Sequence, residues 1–166
     1  MLKFFKKYTL PSLLSKEVED DWTVLDLGCG RNSSLRCLDN YKVGFDMYLP
    51  YIEKSKTKKI HDEYVIGDLR DVLPFDDNSF DCVVATEVIE HLEKEEGIRM
   101  LKEMERVARK KIILTTPNGF LPVDTGPEDN PEEEHISGWK VIDFKGQGFE
   151  VFGLNELKFF GELRRE

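Results

Sequence analysis

Two groups of residues in this chain have types and spacings that could do chemistry. Gly28 and Gly30 follow the apolar run Thr23-Val24-Leu25-Asp26-Leu27, and Asp46 closes the next apolar run, about twenty residues on, as in nucleotide-binding α/β units. Glycines let backbone approach a ligand closely, and an acid at that point accepts hydrogen bonds from both hydroxyls of a ribose. The turn and the acid together imply a nucleoside. NAD would call for glycine at Ser33, the third member of G-x-G-x-x-G, and that glycine is missing. The second group is Glu87, Glu90 and His91, at i, i+3 and i+4. On a helix these side chains share one face near the end of a fourth apolar run, where they could supply a general base or hold a divalent cation. The plainer alternative is a first helical turn with its acids at the positive end of the helix dipole.

The elements that must position these residues follow from periodicity. Short apolar runs at Thr23–Leu27, Lys42–Phe45, Tyr64–Ile66, Phe80–Ala85 and Lys111–Thr115 alternate with amphipathic stretches, which predicts a parallel sheet with crossovers. A helix pattern (Leu35, Leu38) follows the glycine turn, and Glu93–Arg109 forms a covering helix with Ile98, Leu101, Met104, Val107 and Ala108 on its inner face. The tail predicts a short helix from Trp139 to Lys145, a turn at Gly146–Gly148, and an antiparallel hairpin around Asn155-Glu156. The expected class is α/β: a Rossmann-like, doubly wound, mostly parallel sheet ending in that hairpin, and one domain over residues 1–166. Within it, 1–20 form an N-terminal helical segment, 21–116 the cofactor-binding core, 117–138 an acceptor-side loop, and 139–166 the C-terminal helix and hairpin. The loop is acidic and proline-rich, and is longer than an ordinary connection.

Composition narrows the partners. Thirty-three acidic residues against 24 basic ones give a formal net charge of -9, without the basic footprint that gathers nucleic acid or an anionic membrane. Lys54, Lys56, Lys58 and Lys59, and Arg106, Arg109, Lys110 and Lys111, are expected on solvated helix faces. Cys29, Cys37 and Cys82 are odd in number and form no CxxC pair, which suits a reducing cytoplasm and neither a disulfide framework nor a zinc site. No run approaches the ~20 apolar residues of a membrane span. Lysines interrupt the apolar residues of Met1–Tyr8, and Pro11 stops them short of a signal peptide; a short amphipathic helix packed on the domain is expected there, with a lid over a ligand as the alternative.

At the motif level the resemblance becomes specific. Val24-Leu25-Asp26-Leu27-Gly28-Cys29-Gly30 resembles the first motif of class I S-adenosylmethionine-dependent methyltransferases, and Gly67-Asp68-Leu69 resembles their adenine-binding motif. Leu73–Asp81 followed by Glu87-Val88-Ile89-Glu90-His91-Leu92 resembles the segment around their fourth strand, and Thr116-Pro117-Asn118-Gly119 the end of their fifth. The likeness runs in order over about residues 20–120, with features of the type 11 and 12 and ubiquinone-pathway enzymes. It implies a cofactor site of Asp26, Gly28, Gly30, Asp46, Met47, Asp68, Leu69 and Glu87. Gly28 and Gly30 would line the methionine and ribose portion, Asp46 would take the ribose diol, Asp68 the adenine amino group, and Met47 and Leu69 would sandwich the ring.

A sulfonium methyl needs little beyond positioning and exclusion of water, whereas an oxygen acceptor of high pKa benefits from a base or a metal. His91 and His135 are the candidate catalytic residues. With His135, the group Glu87, Glu90 and His91 resembles the magnesium site of small-RNA 2'-O-methyltransferases, although residues 119–134 lack the further elements expected for RNA. The expected activity is methyl transfer to a small-molecule or carbohydrate-like acceptor. A metal-dependent RNA 2'-O-methyltransferase is the nearest rival; an NAD-dependent oxidoreductase and a non-catalytic S-adenosylmethionine-binding protein are the others.

Overall fold

A computed structural model describes residues 9–123, 130–154 and 158–164. The segment Met1–Tyr8 and the hairpin tip at Asn155-Glu156 lie outside the described residues. The chain runs α1 (Leu10–Glu17), β1 (Val24–Leu27), β2 (Lys42–Asp46), α2 (Leu49–Thr57), β3 (Glu63–Ile66), β4 (Phe80–Thr86), α3 (Lys94–Val107), β5 (Ala108–Pro117), α4 (Val141–Lys145), β6 (Glu150–Leu154) and β7 (Lys158–Arg164). The sheet order is β3-β2-β1-β4-β5-β7-β6. The first five strands pair in parallel, and β7 pairs antiparallel with both β5 and β6. After β1 the chain moves outward to β2, and β4 returns on β1's other side. This topological switch point opens a crevice at the carboxyl ends of β1 and β4, between the glycine turn and Glu87.

Apolar side chains explain the layers. β1 and β4 are buried on both faces, as a covered parallel sheet requires. One core joins β1, β2, β4 and β5 to α3 and α4 through residues such as Leu25, Phe45, Met100, Met104, Trp139 and Phe144; the other packs Leu14, Val18 and Trp22 from the N-terminal segment on Val24, Val84 and Ile113. Among the described residues no helix is long and apolar enough to cross a membrane.

Pro11 sits in the first turn of α1, where its missing N–H costs nothing, and Thr9 caps the helix. Three sequence expectations are corrected by the structure. The Leu35, Leu38 pattern yields only a 3₁₀ turn over Ser34–Cys37, because Leu38 is already extended toward β2. On α3 the buried stripe is Gly97, Met100, Leu101, Met104 and Val107, while Ile98 is 38% exposed. Lys111 lies in β5, and its buried ammonium pairs with Glu17 at 2.9 Å, which ties α1 to the sheet.

Gly97 is required by packing. A Cβ there would stand 2.4 Å from Cζ2 of Trp139 and 2.9 Å from Cγ1 of Ile89. Trp139 is held in turn: its indole N–H donates to Ser137 Oγ at 2.9 Å and to the Ile89 carbonyl at 3.2 Å, under the Lys94 ammonium. Gly97→Ala is therefore expected to cost about 2 kcal/mol by overpacking, read as a fall of several degrees in Tm. An unchanged Tm would contradict this packing.

Candidate active site

Each glycine of the turn after β1 adopts the left-handed region, Gly28 at φ +63° and Gly30 at φ +56°, which glycine enters without steric cost. The turn is fastened to β2: Gly30 N–H donates to Asp46 Oδ2 and Tyr48 N–H to Asp46 Oδ1, both at 2.8 Å. Burial pushes the Asp46 carboxyl up, and these two amides oppose it. Asp46 thus ends its strand with its carboxylate against the glycine turn, at the rim of the crevice.

Gly28, Gly30, Asp46, Met47, Asp68, Leu69, Glu87 and His91 line one cavity, so these sequence-derived candidates are brought together. Asp26 is not among them. It is 1% exposed and lies beneath the turn, bonded to Ser33 and His61. Asp68 faces Arg70, whose Nε donates to both of its oxygens at 2.8 and 2.9 Å. Burial acts to raise the Asp68 pKa, but the hydrogen bonds and charge of Arg70 outweigh it and hold the carboxyl below its ordinary value. Arg70 also reaches Glu132 at 3.4 Å, linking the Asp68 side of the cavity to the loop that follows β5.

The expectation that Glu87, Glu90 and His91 share a helical face is corrected. Glu87 is left-handed at φ +55°, only a 3₁₀ turn covers Ile89–His91, and regular helix begins at Lys94. Glu87 is pinned to β5, its N–H on the Thr115 carbonyl at 2.9 Å and its carboxylate on the Thr115 hydroxyl at 2.8 Å. A left-handed non-glycine residue is strained backbone of the kind that clusters at functional sites.

His135 arrives from the loop. The N–H groups of Ile136 and Ser137 donate to the Glu90 carbonyl at 3.0 and 3.1 Å, which docks the loop on the Ile89–His91 turn and places the His135 ring 4.8 Å from that of His91. Each histidine sets its Nδ1 on a carbonyl, His91 on Glu134 at 3.0 Å and His135 on Leu121 at 2.6 Å. Ligand atoms of Glu90, His91 and His135 all lie within 4.8 Å of one another; Glu87 stands outside this cluster, because its turn carries it toward Thr115. Burial, with the neighbouring His135, holds the His91 pKa below the ordinary imidazole value, against the carbonyls of Glu134 and Glu87 and the charge of Glu133.

A second cavity opens on the far side of Glu87, lined by Arg31, Ser33, Ser34, Thr86, Thr115 and Leu10 among others. The two cavities share Gly28, Gly30, Tyr51, Glu87 and Glu133. Sequence reasoning missed Arg70, Tyr51, Glu133 and the buried His61. The proximity of Arg70 to Asp68 was a usable signal, since a cation two residues after an acid in a turn can fold back on it. Trp139 lies in the core at 2% exposure and does not line either cavity.

Comparison with known proteins agrees with this geometry. A family model described as a methyltransferase domain matches residues 25–115. The uncharacterized protein MJ0638 of Methanocaldococcus jannaschii is 26% identical over 162 residues, spanning 92% of this chain and 66% of that protein. The chain therefore spans about two thirds of the length of that relative. Among solved structures, PH0226 from Pyrococcus horikoshii superposes with a TM-score of 0.73 at 22% identity, covering 95% of this chain and 88% of that one. An S-adenosylmethionine-dependent methyltransferase from Methanosarcina mazei gives 0.70 at 19%, covering 92% and 96%. With its switch-point crevice, glycine turn and strand-end acids, the chain has the fold of such S-adenosylmethionine-dependent enzymes and belongs to the methyltransferase-domain family.

Proposed function

We propose that the enzyme methylates a small-molecule or carbohydrate-like acceptor that enters from the Thr86, Thr115 and Ser33 side and meets the donor beside Glu87. The observation that carries this reading is the pair of cavities joined at Glu87 and Glu133: one holds the residues suited to ribose and adenine, and the other is polar and adjoins the point where the methyl would project. When bound, S-adenosylmethionine would supply an electrophilic methyl and leave as the neutral thioether. His91, on the wall of the first cavity, would take the acceptor's proton where the two cavities meet at Glu87. Binding by Asp46 and Asp68 fixes the donor, and the loop docked over Ile89–His91 excludes water, so positioning supplies most of the rate. An acceptor screen reading S-adenosylhomocysteine release tests the acceptor class. Turnover with hydroxylated small molecules is expected; turnover confined to RNA, weakening as salt rises, would overturn it.

The pH dependence follows from His91. With its pKa below the ordinary ~6.5 of imidazole, the neutral, proton-accepting form persists as pH falls through that value. The rate is expected to hold across pH 6.5 and to be lost only at lower pH. A midpoint at or above ~6.5 would exclude His91 as the base.

The Glu90, His91 and His135 cluster supports a second reading, in which His91 Nε2 is a metal ligand instead of the base. A buried carboxylate and two imidazoles, each with Nδ1 on a carbonyl, form a donor set suited to a divalent cation, with outer partners that orient the ligands. The same three residues would hold the ion, which when bound would lower the pKa of an acceptor hydroxyl. Calorimetric titration with magnesium or manganese is expected to give heat that Glu90→Ala abolishes. Absence of heat in the wild type would remove the metal and leave His91 and His135 as bases alone.

A further inference from the structure

We infer that His61 is a positioning residue of the cofactor turn: through Asp26 and Ser33 it holds the Gly28–Gly30 bend in the shape that accepts the donor. The inference rests on the assignment of that bend to the donor site. In a βαβ unit the helix that follows the first strand braces the turn, but here the chain between β1 and β2 carries only the 3₁₀ turn Ser34–Cys37. The brace comes from beneath. Asp26, 1% exposed, accepts from Ser33 Oγ at 2.5 Å and faces His61 Nε2 at 2.8 Å with the same oxygen. Ser33 Oγ in turn accepts from Leu35 N–H at 3.0 Å, so the Asp26 carboxylate orients the group that caps the 3₁₀ turn.

His61 is itself tightly placed. Its side chain has no solvent exposure, its ring stands edge-on to Tyr64, and its Nδ1 lies 3.4 Å from Ser55 Oγ on α2. Ser55 Oγ is 2.9 Å from the Tyr64 hydroxyl. One tautomer satisfies this chain: Nε2–H donates to Asp26 and Nδ1 accepts from Ser55. Gly44 on β2 makes room for the arrangement, since a Cβ there would stand 2.9 Å from Cys29 Sγ and 3.1 Å from the His61 ring. Among the described residues the other Asp26 oxygen, Oδ1, is buried without a hydrogen-bond partner, and His61 and Ser33 supply the side-chain donors that stabilise this carboxylate. A buried carboxylate stripped of a partner is strongly unfavourable. Loss of His61 would let Asp26, Ser33 and the bend relax together, although neither His61 nor Asp26 lines the cleft.

The test is calorimetric binding of S-adenosylhomocysteine to the wild type, His61→Leu, His61→Gln, Ser33→Ala and Asp46→Ala, with Phe144→Leu as a core variant remote from the turn. His61→Leu is expected to weaken binding at least about tenfold, the scale of one hydrogen bond to a charged group. His61→Gln, whose amide N–H can replace Nε2–H, is expected to recover most of the affinity, while Phe144→Leu lowers Tm and leaves affinity unchanged. Binding by His61→Leu within about twofold of the wild type, or a glutamine variant no better than the leucine one, overturns the proposal. Should His61→Leu fail to fold, Ser33→Ala decides: unchanged affinity overturns the proposal, and weakened affinity supports it. If Asp46→Ala also binds normally, the donor-site assignment itself fails, which separates that failure from one confined to His61.

Discussion

Gly28→Ala is expected to reduce S-adenosylhomocysteine binding by two orders of magnitude or more, by two additive routes. The residue sits at φ +63°, and its added Cβ would fall 2.6 Å from Cγ2 and 3.1 Å from Cγ1 of Val88. An L side chain in the left-handed region costs roughly 1–2 kcal/mol, and forcing it against a buried β-branched neighbour adds about 1–3 kcal/mol. Both are relieved only if the turn moves, and the proposed donor site is built on that turn. The double variant Gly28→Ala, Val88→Ala separates the routes: it should recover the steric part and retain the conformational part. Equal affinity of Gly28→Ala and wild type would show that the donor does not touch this turn.

Asp46→Ala is expected to weaken S-adenosylhomocysteine by at least about a hundredfold, because hydrogen bonds to a charged group contribute about 1.5–3 kcal/mol each and a ribose diol offers two. The variant also releases the amides of Gly30 and Tyr48, so part of the loss comes through the turn. Asp46→Asn keeps an acceptor without the charge and should fall between the two. Calorimetry of the three proteins checks the order.

These two positions were also the ones most legible in the sequence. A glycine turn after one strand and an acid at the end of the next are written locally, and the five parallel strands appear as apolar runs close to their observed bounds. The misreadings concern long-range neighbours. Asp26 belongs to the same motif as Gly28, yet lies beneath the turn because its partner, His61, comes from before β3, 35 residues away. Glu87, Glu90 and His91 have helical spacing, but Thr115 on β5 holds Glu87 left-handed and shifts the phase. Ile98 and Gly97 exchange roles because Trp139 fills the space against Gly97. In each case the deciding contact lies far away in sequence, where local periodicity carries no information. The loop is a mixed case: its acids and prolines marked it as unusual, while its docking on the Glu90 carbonyl depends on backbone groups that any residue carries.

The central claim is that the crevice between the glycine turn and Glu87 is the donor site. The most direct test is isothermal calorimetry of the wild-type protein with S-adenosylhomocysteine and, separately, with NAD. One-site binding of S-adenosylhomocysteine, with none for NAD, and its weakening in Asp46→Ala, is the expected result. Binding of NAD alone, or S-adenosylhomocysteine binding indifferent to Asp46, would contradict the account.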